Sequence, residues 1–473
     1  MIRIDDTLTP ADLLDPIARM WALSGEKIRS IETSFPPGSS TPVFTVAGKY
    51  TAQGWTEWTQ GFQFGSAALQ FDATGDEFFL ELARERTREV MAPHLTHTGV
   101  HDHGFNNVST YGNLWRLARE GRFAAGAGEM DFYELALKVT GAVQASRWAK
   151  TADGTGYIYS FNGPQSLFVD TIRSCRALAV SHQLGHVLQG ERDERINLLG
   201  RIIEHARNTA RFNIWYGADS KNGLRDIYDI RGRASHEAVF NANNGDYRCP
   251  STQQGYSPFS TWTRGLSWAV VGYPEQLEFL ETVGDEELEP HGGRAEVTGF
   301  MLEAARATCD FFIEHTPVDG VPYWDTGAPG LAMMGDYLDR PAEPFNDYEP
   351  VDSSAGAICC QGLVRLGLYL KRHGDAAAGD RYLKAGLTSL RTLLTDTYLG
   401  VDPEHQGLSL HTVYHRPNGW DYVPEGRKIP CGEAAMWGDY HLREAALTVQ
   451  RLANDEPAYR FFGPIENDVE AVR

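Results

Sequence analysis

No stretch of the 473 residues stays apolar for the length a bilayer-crossing helix needs. The start, Met1-Ile2-Arg3-Ile4-Asp5-Asp6, has no basic segment leading into an apolar run. The expectation is a chain outside the membrane, without a visible export signal, in the cytoplasm. Cysteine is sparse and unpaired in spacing: Cys175, Cys249, Cys309, Cys359, Cys360 and Cys431 follow no metal-binding rhythm. They read as reduced core residues. Positive charge is also short, 43 Lys and Arg against 63 Asp and Glu, a net charge of −20. That excludes nucleic acid and anionic membrane as natural partners, since both repel a surface of their own sign. An anionic small substrate would need a locally placed cation. No linker rich in Pro, Gly or Ser and no charge block divides the chain, so one domain over 1–473 is expected.

What the chain has in abundance is helical periodicity. Apolar residues recur at three- and four-residue spacing near 10–31, 56–71, 76–92, 107–120, 129–147, 168–188, 193–213, 260–281, 294–314, 353–372, 376–394 and 432–453. Starts are marked by Thr9 before Pro10 and by Asp352-Ser353-Ser354, and stops by Gly121 and Gly374. Between the helices lie long irregular stretches, chiefly 148–167, 214–259, 315–351 and 395–431; loops of that length in a compact domain usually carry function. Runs such as Tyr157-Ile158-Tyr159 suggest short strands within them. Six helical hairpins can wrap as an inner and an outer ring with the loops at one mouth, an all-α architecture. An open solenoid is the alternative, weakened by the lack of a short regular repeat.

The run Gln254-Gly255-Tyr256-Ser257-Pro258-Phe259-Ser260-Thr261-Trp262-Thr263-Arg264-Gly265-Leu266-Ser267-Trp268 gathers amides, aromatics and one guanidinium. Trp262 and Trp268 can offer flat faces to a sugar ring, and Arg264 a two-pronged bond to a carboxylate. Either Trp can equally be a core plug. Asp102 stands among imidazoles just before a predicted helix, where it can be an acid-base group or a cap. Asp170 interrupts an apolar run entering a helix; burial and a second carboxylate would raise its pKa, whereas Arg173 or Arg176 could pair with it. His94, His97, His101 and His103 crowd ten residues, but Pro93, Gly99 and Gly104 make a loop of them and the spacing fits no zinc helix, so neither metal nor cofactor is expected. His236, after Arg231-Gly232-Arg233, could donate to a substrate oxygen.

Six runs then form a set: His101-Asp102-x-Gly104-Phe105, Phe168-Val169-Asp170-Thr171, Gln254 through Trp262-x-Arg264-Gly265-x-x-Trp268, Pro322-Tyr323-Trp324-Asp325, Asp352-Ser353-Ser354-Ala355 and Trp437-Gly438-Asp439-Tyr440. In this order, over most of the chain, they resemble the motifs of the unsaturated glucuronyl hydrolases, glycoside hydrolase family 88. The resemblance implies an (α/α)6 barrel. It also implies hydration of the C4=C5 bond of a 4,5-unsaturated uronic acid at the non-reducing end of lyase-generated oligosaccharides. Carried over by position, Asp170 resembles the general acid and Asp102 the second essential carboxylate. His236 and Gln254 resemble ring contacts, and Arg264, Trp262 and Trp268 the carboxylate-binding and stacking groups. The chain departs from the family at Thr263-Arg264-Gly265-Leu266-Ser267-Trp268 and over 224–249, which leaves His236 the weakest match. Unsaturated rhamnogalacturonyl hydrolases are the nearest alternative. A sugar 2-epimerase on the same barrel and a non-catalytic sugar-binding protein are the others.

Overall fold

The computed structural model describes residues 1–54, 57–217 and 228–463. Twelve long helices carry the architecture among these residues: α1 (Leu14–Ser34), α2 (Gln60–Thr74), α3 (Glu77–Val90), α4 (104–119), α5 (Ala127–Ser146), α6 (171–183), α7 (Leu198–Asn213), α8 (Thr263–Leu280), α9 (Gly293–Glu314), α10 (Ser353–Arg372), α11 (Ala376–Leu393) and α12 (Met436–Ala453). Each expected segment has its helix, with ends displaced by a few residues. Two of the displacements have local causes. Pro10–Leu13 forms a tight 3₁₀ turn ahead of α1, and α4 starts at Gly104 because a wide π-type turn over Gly104–Gly112 precedes its regular part.

The even-numbered helices form the inner ring. Every residue of α8 is buried, as is α2 from Gln60 to Asp72, whereas α3 buries only Phe79, Leu80, Leu82, Ala83 and Thr87 on one stripe. Each inner helix packs on the next, and α12 returns to α2, so the ring closes and the barrel is an (α/α)6 barrel, not an open solenoid. Inner helices meet closely where a side chain is missing: a Cβ at Gly104 would lie 2.2 Å from the Ser174 carbonyl oxygen on α6, and one at Gly362 of α10 would lie 2.3 Å from that of Val270 on α8. Alanine at either site would push two helix backbones apart. Asp352, as expected, caps α10, its carboxylate accepting from Ser354 N at 3.1 Å.

The long loops hold short strands. Gly156–Ile158 pairs with Trp148–Lys150, and Glu237–Phe240 lies between Ser166–Phe168 and Tyr247–Ser251 in an antiparallel sheet. This sheet sets the register of the site, because Phe168 opposes Glu237 and the Val169 N–H donates to the His236 carbonyl at 2.9 Å. Asp170 is thereby delivered at the start of α6 beside His236. All six cysteines are free thiols, five of them buried. No helix of the described residues is long and apolar enough to cross a membrane.

Candidate active site

The inner helices all begin at one end of the barrel, which is why motifs scattered over the sequence converge there. Glu57 and Trp58 precede α2, His101 and Asp102 precede α4, Phe168 and Asp170 precede α6, and Trp262 precedes α8. All of them line one cavity of about 750 Å³, together with Phe105, Gln254, Arg264 and Trp268. Tyr414, His415, Asn418 and Trp420, from the loop before α12, close its far wall. Helix starts direct unpaired N–H groups and partial positive charge toward this end, a setting that favours an anionic ligand.

The chemistry centres on three side chains. His101 Nε2 lies 3.3 Å from Asp170 Oδ1 and 3.9 Å from Asp102 Oδ1, so one imidazole is shared by two carboxylates. Its ring is sandwiched by aromatics, stacked at 6.2 Å on Phe161 and edge-on at 5.5 Å to Phe168, and its Nδ1 is buried without a partner. Burial opposes charge on His101, but the two aspartates outweigh it and hold the imidazole above its usual pKa. Burial lifts the Asp102 carboxyl above the carboxylate range, and Asp170 adds to the rise against the pull of His101. Burial acts on Asp170 too. There the charge and hydrogen bond of His101, with His236 behind, more than cancel it, and the carboxyl falls below its ordinary value.

The expected elevation of Asp170 is therefore corrected: Asp102 is the carboxyl displaced upward. The alternative, pairing of Asp170 with Arg173 or Arg176, does not occur, because those guanidiniums pair with Glu275 and Glu444. Nor does the Asp102 side chain cap α4; only its carbonyl accepts, from Phe105 N and Asn106 N. Asp102 was expected to be favoured as an anion by the helix start, and desolvation overrides that.

Arg264 lies fully inside the wall. One Nη donates to the Val413 carbonyl and lies 3.4 Å from Asp352 Oδ2, and the other donates to Gln254 Oε1 at 2.6 Å and to the Tyr414 carbonyl at 2.7 Å. The guanidinium is held between the rings of Trp262 and Trp437, 4.6 and 4.7 Å from their centroids. The two-pronged fork expected for a substrate carboxylate is thus filled by the protein itself. Gln254 keeps its amide at the cavity with its oxygen engaged by Arg264. Trp262 and Trp268 are both buried cavity-wall residues, Trp268 packing at 4.9 Å on Phe105.

His236 is buried, not solvated. Its Nδ1 accepts from Gln253 N at 3.2 Å, its ring lies 4.3 Å from Phe168 and 4.8 Å from Trp262, and its Nε2 has no hydrogen-bond partner among the described residues. Burial drives its pKa down to about 4, so it is neutral. It stands behind the wall and does not line the cavity. The other histidines disperse: His94 bonds Gln60, and His103 bonds Thr140 and the His97 carbonyl. Among the described residues no group of three or more His, Cys, Asp or Glu side chains is placed to hold a metal ion.

Sequence reasoning passed over His101 as a proton-handling group, although it adjoins Asp102. It also passed over Trp58, which stacks on Trp437 at 5.1 Å, and Trp420. A signal existed for Trp58, since it precedes an inner helix as Trp262 does.

No family model matches the chain. The unsaturated glucuronyl hydrolase of Bacillus sp. (strain GL1) is 27% identical over 417 residues, spanning 85% of this chain and 89% of that one. An unsaturated chondroitin disaccharide hydrolase of Streptococcus pyogenes serotype M1 is 25% identical over 461 residues, 94% of each. Among solved structures, the unsaturated glucuronyl hydrolase from Bacillus sp. GL1 superimposes with a TM-score of 0.67 at 22% identity, covering 93% of this chain and 97% of that one. An unsaturated glucuronyl hydrolase specific for heparin gives 0.68 at 19%, covering 93% and 98%. With sequence likeness along most of its length and the same barrel, this chain is a homologue of the unsaturated glucuronyl hydrolases.

Proposed function

We propose that the chain is a glycoside hydrolase that releases a 4,5-unsaturated uronic acid from the non-reducing end of lyase-generated oligosaccharides by hydrating its C4=C5 bond. The observation that carries the reading is the pair Asp102 and Asp170, each within 4 Å of one His101 nitrogen, on the wall of a sugar-sized cavity. Asp170 delivers a proton to C4, and positive charge develops at C5, shared with the ring oxygen. Water then adds at C5 and returns its proton to Asp170. The C5 hemiketal opens to a ketone, which frees a C1 hemiacetal that expels the rest of the sugar chain. Asp102 holds ring hydroxyls beside it. His101 holds the Asp170 carboxyl below its ordinary range, and entry of the anionic uronate, displacing water and adding like charge, raises it and so favours uptake of the proton to be transferred. Trp262 and Trp268 shape the wall around the ring, and Gln254 presents its amide to it. Arg264 acts through Gln254 and the 413–414 backbone, and His236 through Phe168 and Asp170. One domain spanning 1–473 contains the whole site.

Turnover in deuterated water tests this. One deuterium is expected at C4 of the released 4-deoxy-5-keto uronate, with loss of the conjugated-alkene absorbance. A saturated uronide with the same aglycone is expected to be inert; its hydrolysis at a comparable rate, or product without deuterium at C4, would make the enzyme an ordinary two-carboxylate glycosidase.

A further inference from the structure

The aspartates account for part of the cavity wall, and the rest of the lining has its own character. It includes Phe161, 53% exposed, and Trp420, 49% exposed, the latter packed at 4.8 Å on His415 and 5.3 Å on Tyr414. The amides of Asn418 and Gln253 belong to the same lining. Among the described residues the only Lys or Arg on the whole wall is Arg264, and its four Nη protons are directed at protein oxygens. Burial, aided by Arg264, holds His415 below its usual pKa. One more carboxyl remains unused by the reaction. Glu57, ahead of α2, lines the same cavity and is partly buried, and among the described residues its carboxylate takes one hydrogen bond, from the neighbouring Trp58 N–H to Oε1 at 3.0 Å. A carboxylate beside aromatic and amide walls accepts sugar hydroxyls and repels a second anion; in a partly desolvated cavity that repulsion is far stronger than in water.

We propose, building on the hydrolase reading above, that Glu57 together with the Trp420 and Phe161 faces makes this enzyme select an uncharged sugar next to the unsaturated uronate and reject a sulfated one. The aromatic faces take the apolar face of the second ring, and Glu57 takes its hydroxyls. A sulfate there would meet Glu57 with no free cation among the described wall residues to offset it.

The test is the ratio of kcat/KM for matched unsaturated disaccharides whose second sugar is N-acetylgalactosamine without sulfate, with 4-sulfate or with 6-sulfate. The native enzyme is expected to favour the unsulfated compound by about tenfold or more over each sulfated one, the scale of one like-charge contact in a partly buried site. Glu57→Gln keeps the shape and the acceptor for Trp58 N, and is expected to shrink that ratio severalfold. Trp420→Ala is expected to raise KM for the unsulfated disaccharide. Equal turnover of sulfated and unsulfated compounds by the native enzyme, or an unchanged ratio in folded Glu57→Gln, overturns the inference. If none of the disaccharides loses its alkene absorbance, it is the hydrolase reading that fails.

Discussion

Two sets of buried charges lie along α6, and the fold treats them in opposite ways. Arg173 and Arg176, one and two turns beyond Asp170, are fully buried inside the barrel and paired with carboxylates. Arg173 reaches Glu275 at 2.6 Å and Glu444 at 2.9 Å, Arg176 reaches Glu444 at 3.4 Å, and the Tyr440 and Tyr459 hydroxyls donate to Glu444 at 3.0 and 2.9 Å. Burial alone would raise Glu444; the arginines instead hold it far below the carboxylate range. At the helix start, Asp102 and Asp170 share one imidazole and no arginine. A third group is intermediate: Asp325 accepts from Tyr256 N and Gly327 N, Asp352 from Ser354 N, and Asp439 from Leu408 N, Ser409 N and the Tyr50 hydroxyl. Asp325 and Asp439 spend their oxygens mostly on loop backbone, and Asp352 spends its own on Ser354 at the start of α10 and on Arg264. The contrast teaches that a buried carboxylate left short of partners, facing a cavity, is the one available for proton transfer.

The sharpest way to break this comparison is to unpair the interior. Glu444→Gln leaves Arg173 and Arg176 with Glu275 alone, and a loss of about 3–5 kcal/mol in unfolding free energy is expected from urea titration. A variant of normal stability would mean the interior charges are not a structural unit. At the mouth the expectation reverses. Asp170→Asn should lower kcat by about 10²-fold or more while the melting temperature stays close to native. A folded variant with near-native turnover would remove Asp170 from the reaction.

Arg264 tests which set it belongs to. Because its donors are taken by Gln254, Val413, Tyr414 and Asp352, Arg264→Lys should weaken binding by about 1–3 kcal/mol, and equally for a uronate substrate and its neutral amide analogue. A loss confined to the uronate would show instead that Arg264 turns to the substrate carboxylate.

The smallest effect per residue concerns acid. His94, His236 and His411 are driven by burial to about 4, and His103, His205 and His441 to about 3. Their folded pKa values lie below the unfolded value near 6.5, so the unfolded chain binds their protons first as pH falls. Their contribution is full above about pH 6.5 and declines toward about pH 4, by at most about 1.4 kcal/mol per pH unit for each histidine. Thermal melts between pH 7 and 4 check the sign; a midpoint rising on acidification would reverse it.

The helices were legible because an amphipathic stripe is a local property. Twelve periodic segments lead to twelve helices, and Asp352 before Ser353 marks a cap by chemistry that acts over two residues. Asp170 and Asp102 were legible for a related reason: an acid in an apolar run, or one set among imidazoles before a helix, is anomalous wherever the chain goes. Their relative acidity was not. It depends on His101 turning its Nε2 toward Asp170 across 69 residues of sequence, a contact that reverses the direction set by burial.

By itself, the sequence determined the ring-forming periodicity, the lack of a membrane-length apolar run and the two acids that mark one end, since each follows from residue type and spacing within a few turns. Only the tertiary structure decided that Arg264 is saturated by the carbonyls of Val413 and Tyr414, about 150 residues away, that His236 lies behind the wall, and that Glu57 and Trp420 share the cavity. The physical reason is that charge, hydrogen bonding and burial are set by neighbours in space, and closing the ring makes neighbours of residues from opposite ends of the chain.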